Sequence, residues 1–215
     1  MRIEYNKRKV LDKIYVYNLL FKKVSGYQMP DIDEEKAEII NYGLQNIIGE
    51  IPKIFLLFFI SWVLGILKEV LFMFIILLPY RGASGGFHLK THLGCIIGTT
   101  LFYCGVAFLS KNIVIGETIK YLLVIFGWLF GMIMIKLYAP ADTENVPILS
   151  KKERKKKQIM SYLTFTIGMV LGLIIKDNVI SNILIIGNLV QTLNITKLAY
   201  KMTKNKYGYE VYGLG

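Results

Sequence analysis

Six runs of the chain, at 54–67, 70–80, 93–109, 121–135, 159–175 and 179–195, are strongly apolar and carry no charged residue. A helix needs ~20 apolar residues to cross a bilayer core. Several runs fall short, but lysines at their ends (Lys68, Lys120, Lys136, Lys157, Lys176) can lengthen them by reaching for the interface. The first run is preceded by an amphipathic stretch, with Ile39, Ile40, Leu44, Ile47, Ile48 and Ile51 ahead of Pro52, which can complete that crossing against partner helices. Nearer the start, Val10, Ile14, Tyr17 and Phe21 recur at spacings of four, three and four among lysines, one apolar stripe on a helix suited to lie on a membrane surface. The pattern predicts an all-α polytopic integral membrane protein: about six membrane helices plus an N-terminal amphipathic interfacial helix at 1–23. No repeat or low-complexity linker divides it, so residues 1–215 are expected to form a single membrane domain.

Composition agrees, since 54% of the 215 residues are hydrophobic and the mean hydropathy is positive. The net charge of +11 would suggest nucleic acid in a soluble protein. Here the charges fall between the apolar runs and at the ends, which points to anionic lipid or an acidic partner and away from nucleic acid. With both termini cytoplasmic, segments 81–92 and 136–158 share their side, and only Lys68, Lys111, Lys120 and Lys176 of the 26 Lys and Arg residues lie outside, with Lys53 inside a span. The bias of positive charge to the inner face favours this multi-pass arrangement in the cell membrane. Residues 1–23 interleave basic with apolar residues and lack the uninterrupted apolar core of a cleavable signal. The cluster Lys151, Lys152, Arg154, Lys155, Lys156 and Lys157 reads either as a site of attraction for acidic lipid or peptide, or as a signal that only fixes topology.

Chemistry concentrates in 81–95, which holds both histidines of the chain, His88 and His92, and one of its two cysteines, Cys95. A cysteine is a strong nucleophile as thiolate, and a nearby imidazole can take its proton. On one straight helix His88 and Cys95 would lie about 10 Å apart along the axis, whereas His92 and Cys95 would be neighbours. Spacing alone therefore nominates His92. For His88 to serve, the chain must bend, and Gly85, Gly86 and Gly94 offer places. The same His-x-x-x-His-x-x-Cys spacing supports an alternative, a small membrane transporter or metal-handling protein with His88, His92 and Cys95 as ligands and Thr99, Thr100, Asn182 and Asn188 along a path. Cys104, about 13 Å from Cys95 on a shared helix, is too far for a disulfide and reads as packing. Asp142 and Glu144 read as solvated loop acids, or as orienters of His88 if their loop folds back over the site.

Taken together, Arg81, Gly85-Gly86-Phe87-His88 and Cys95, with the later segment at 138–148 and the lysine-rich stretch after it, resemble the accessory gene regulator B (AgrB) family across nearly the whole chain. Val146 stands where that pattern would have a lysine. The resemblance implies a membrane-embedded cysteine endopeptidase of a Gram-positive bacterium, serving quorum sensing and virulence regulation. It would cleave the C-terminal tail of a signal propeptide through a Cys95 thioester and assist cyclisation to a thiolactone or lactone autoinducing peptide. It further implies Cys95 as nucleophile and His88, not His92, as base, with Arg81, Gly85 and Gly86 as motif positions for substrate binding or structure. No cofactor or metal is implied. The partners are a propeptide with an acidic C-terminal tail, the lipid bilayer and, optionally, a second copy of the chain as a homodimer.

Overall fold

The computed structural model describes residues 50–89, 91–144 and 146–213. The interfacial helix expected at 1–23 and most of the amphipathic stretch before Pro52 lie outside these residues. The chain divides into two compact units, Met1–Pro52 and Lys53–Gly215. Of the first, residues 50–52 are described and are helical.

The described residues of the second unit contain the helices α1 (53–63), α2 (Leu67–Ser84), α3 (His92–Asn112), α4 (Glu117–Tyr138), α5 (Lys151–Ile174), α6 (Asn178–Leu193), and two short C-terminal helices, α7 (Lys197–Met202) and α8 (Gly208–Val211). Among the described residues there is no strand, only isolated bridges. By length and composition α3 (from Leu93), α4 and α5 can each cross a membrane. Lys68, Glu69 and Arg81 near the ends of α2 interrupt its apolar run, and α6 is apolar but only 16 residues long.

Each long helix is sorted into two faces. On α4, Ile119, Leu122, Phe126, Leu129 and Ile133 are exposed at spacings of three and four, while Val124, Gly131 and Ile135 are buried. On α5, Met160, Leu163, Ile167, Val170 and Ile174 are exposed, and Ser161, Phe165, Gly168, Met169 and Gly172 face inward. Continuous exposed apolar stripes facing water would be a severe liability; facing lipid they are what the bilayer requires. The small inward residues let helices approach, and Gly168 leaves the space that the Asn188 side chain occupies.

The central helix is α6, which packs on α2, α3, α4 and α5. Ser181, Asn182, Asn188, Gln191 and Thr192, polar residues in a helix that the sequence presented as one more apolar run, are all buried there. A helix wrapped by protein need not match the lipid thickness, which accounts for its length. Several of its polar side chains bond within the protein: Asn182 donates to the Ser110 and Ile113 carbonyls, and Thr192 to that of Asn188.

Turns alternate between two ends of the bundle. At one end Lys111 donates to the Gly65 carbonyl at 2.9 Å and pairs with Glu69, and Asn182 reaches the 113–116 turn. At the other end the chain leaving α2, the chain leaving α4 and the C-terminal segment are hydrogen-bonded to one another. This second end carries Arg81, Lys136 and the 151–157 cluster, the segments grouped on one side by their positive charge.

Candidate active site

The site is built from the end of α2. Gly85 terminates that helix with φ +74° while its N–H donates to the Arg81 carbonyl at 3.0 Å. This left-handed conformation suits glycine, and a Cβ here would also collide with the Ala141 carbonyl. The collision partner belongs to the chain after α4, which docks on the turn: Ala141 N–H donates to the Ser84 carbonyl at 2.8 Å and Gly86 N–H to the Ala141 carbonyl at 2.9 Å.

Gln191, fully buried on α6, clamps the same turn. Its amide donates to the Gly85 carbonyl at 2.9 Å and the Ser84 hydroxyl at 3.2 Å, and its Oε1 accepts from Arg81 at 3.3 Å. The Arg81 guanidinium is thus engaged in holding the turn. Gln191→Leu leaves these groups short of partners, each such loss costing about 1–3 kcal/mol when buried. A marked drop in the thermal unfolding midpoint in detergent is expected, read by circular dichroism.

Beyond the turn, residues 86–89 form no helix, and His88 is exposed. Thr91 is extended (ψ 143°) and caps α3, its hydroxyl accepting from Gly94 N–H at 3.1 Å. The helix therefore begins at His92, and Cys95 sits in its first turn, half-buried, with its N–H on the Thr91 carbonyl. The break lets the chain fold back, and it brings the His88 imidazole and the Leu89 backbone close to the Cys95 thiol. Between His88 and Cys95 the helix is withheld by the non-helical backbone of His88 and Leu89 and by the extended Thr91 cap. Gly85 and Gly86 turn the chain before His88, and Gly94 is already helical.

Three features correct or extend what spacing suggested. Asp142 is not a solvated loop acid: its side chain is 1% exposed, with Oδ2 2.8 Å from Arg154 and accepting from Ile148 N–H at 2.9 Å. The loop folds back because docking on the Gly85 turn carries Asp142 inward, where it needs a cation. Arg154 consequently leaves the group of lysines available for attraction, its guanidinium turned onto Asp142 and over the Tyr209 ring. Lys151, Lys152, Lys155 and Lys156 stay exposed, and Lys152, Lys155 and Lys156 flank a shallow groove floored by Ile159 and Met160. Glu144 keeps partial exposure.

Lys53 was legible only as a charge inside a span. It is buried on α1, and its ammonium contributes positive field at the Cys95 sulfur. A lysine in an apolar run is itself a functional signal. Cys104 is buried and packs with Leu57, Met73 and Tyr103 in one of the two core clusters.

A family model described as Accessory gene regulator B matches residues 15–195. The chain is 30% identical over 183 residues to a putative AgrB-like protein of Listeria monocytogenes serovar 1/2a, covering 84% of this chain and 87% of that one. It is 26% identical to a putative AgrB-like protein of Clostridium acetobutylicum, over 78% of each chain. It is 29% identical to the accessory gene regulator protein B of Staphylococcus aureus (strain bovine RF122), over 75% of this chain and 83% of that one. No solved structure matches.

Proposed function

The chain belongs to the accessory gene regulator B family of membrane proteins, with a role in agr quorum-sensing peptide processing, and we propose that it is a cysteine endopeptidase acting on the signal propeptide of that system. The observation that carries this reading is the return of the His88 imidazole onto the Cys95 thiol across a break in the helix.

In this mechanism His88 takes the thiol proton as Cys95 Sγ attacks the carbonyl carbon before the acidic tail of the propeptide. It then gives that proton to the departing amine, and the tail leaves. The rest of the peptide remains as a thioester on Cys95. A thiol or hydroxyl within the peptide attacks the thioester, loses its proton to His88 and closes the thiolactone or lactone, while Cys95 departs and is reprotonated. Exchange of one thioester for another retains the acyl-transfer potential that hydrolysis would lose. The amides of Gly85 and Gly86 are committed to the Arg81 and Ala141 carbonyls, and those of Gly94 and Cys95 to Thr91, so the backbone amides of His92 and Leu93 at the start of α3 are the donors we assign to the oxyanion.

We place the end of the bundle that carries Cys95 at the cytoplasmic face, with both termini, because most of the positive charge gathers there. There Lys151, Lys152, Lys155 and Lys156 attract the acidic tail and the anionic leaflet. Changing these four to glutamine is expected to weaken propeptide capture severalfold at low salt, with the gap closing at high salt and the turnover of bound peptide unchanged. Equal capture at both salt concentrations would remove them from the mechanism.

The direct test is co-expression with a signal propeptide of the accessory gene regulator system, followed by mass measurement of the peptides. The reading predicts a free acidic tail and a cyclic product whose masses add up to that of the propeptide, the product being one water lighter than the linear peptide that hydrolysis would leave. An intact propeptide would refute it.

A further inference from the structure

We infer that Asn205 is a positioning residue for the thiol–imidazole pair, fixing the backbone of His88 from a C-terminal segment that lies past the region matched by the family. This inference rests on the reading of Cys95 and His88 as the reacting pair. Residues 86–89 belong to no helix, so where the imidazole sits depends on what holds their backbone. The His88 carbonyl accepts from the Asn205 side-chain amide at 2.8 Å.

That amide is itself fixed. After α7, Lys204 takes a positive φ of 55°, and the chain turns so that Asn205 N–H donates to the Tyr200 carbonyl at 2.9 Å. One amide hydrogen of Asn205 goes to the Thr203 hydroxyl at 2.8 Å, which leaves the other directed at His88. An amide has two hydrogens to donate, and these two short bonds use both.

The segment that presents Asn205 is anchored in turn. The Tyr200 hydroxyl donates to the Ala141 and Asp142 carbonyls at 2.8 and 3.1 Å, and the Tyr207 hydroxyl to the Ile195 carbonyl at 2.9 Å. Tyr207 stacks on Tyr200 with ring centroids 3.9 Å apart. Burial, reinforced by Asp142, pushes the Tyr200 hydroxyl above the ordinary tyrosine range, which keeps it a donor. Ala141 is the residue that meets Gly85 and Gly86. The C-terminal segment therefore grips the motif at two points, the glycine turn through residues 141–142 and His88 through Asn205. The family match ends at residue 195, so this second grip belongs to a part of the chain outside it.

A displacement of about 1 Å in a reacting group can cost ~100-fold in rate, so loss of the tether should register at the sulfur before any substrate is involved. The experiment is the rate of Cys95 alkylation by iodoacetamide at one neutral pH, in the full chain carrying Cys104→Ala, in detergent. His88→Ala is measured first and should slow alkylation about tenfold or more. Asn205→Ala and the isosteric Asn205→Asp, which cannot donate, should each slow it by about three- to tenfold with the thermal midpoint unchanged, and Asn205→Gln should recover most of the rate. If alanine does not fold, the aspartate variant carries the test. A rate that depends on His88 but is the same in the Asn205→Ala or Asn205→Asp chain overturns this inference alone. A rate indifferent to His88 overturns the paired-site reading, and the inference with it.

Discussion

Cys95→Ala is expected to abolish propeptide cleavage, and His88→Ala to reduce it by ~100- to 10,000-fold, the range for loss of a positioned general base, while His92→Ala stays within a few-fold of the parent. The three outcomes follow from one piece of geometry. Thr91 caps α3, so the helix starts at His92, and the imidazole that returns to the sulfur is the one seven residues back. Cleavage assayed by mass spectrometry on membranes of equal protein content separates this from a metal-handling site with His88, His92 and Cys95 as ligands, which all three changes would damage. An inactive His92→Ala chain of normal abundance would favour that alternative.

The second large effect lies away from the sulfur. Asp142→Ala leaves the Arg154 guanidinium, 14% exposed, without its carboxylate. Breaking one partner of a buried ion pair costs about 3–5 kcal/mol, much of it from the charge left behind. The expected result is a steep fall in the thermal midpoint in detergent, accompanied by loss of cleavage, because residues 139–142 are what the Gly85 turn rests on. Removing both charges in an Asp142→Ala/Arg154→Met chain should recover much of the stability, since the uncompensated cation is then gone. If the double variant is as unstable as the single one, the ion pair is not what holds the loop.

These two sites differ in how far the sequence revealed them. The helices were legible because lipid imposes long uncharged runs, and the stripes on α4 and α5 carry the period of a lipid-facing helix. His88 and Cys95 were legible through the family motif and not through spacing, which preferred His92 because it assumed that the helix continued back past Thr91. What the sequence hid is tertiary. Gln191 lies in an apolar run and looks like an incidental polar residue until α6 is seen at the centre of the bundle. Asp142 looks like a loop acid until Ala141 docks on Gly85 and carries it beside Arg154, a residue otherwise lost in a lysine cluster. Asn205 is 117 positions from His88, and no local pattern links them. Lys53 alone gave a signal that could have been followed, a charge in a stretch that should have none.

The central claim is that the Cys95 sulfur becomes acylated by the peptide it cuts. It is tested by supplying a propeptide whose ring-closing side chain has been replaced by alanine and weighing the intact protein. The account predicts a mass increase equal to the peptide without its acidic tail, located on Cys95 and removed by neutral hydroxylamine, which cleaves thioesters. Release of the tail with the protein at its unmodified mass, or an adduct that survives in a Cys95→Ala chain, would contradict it.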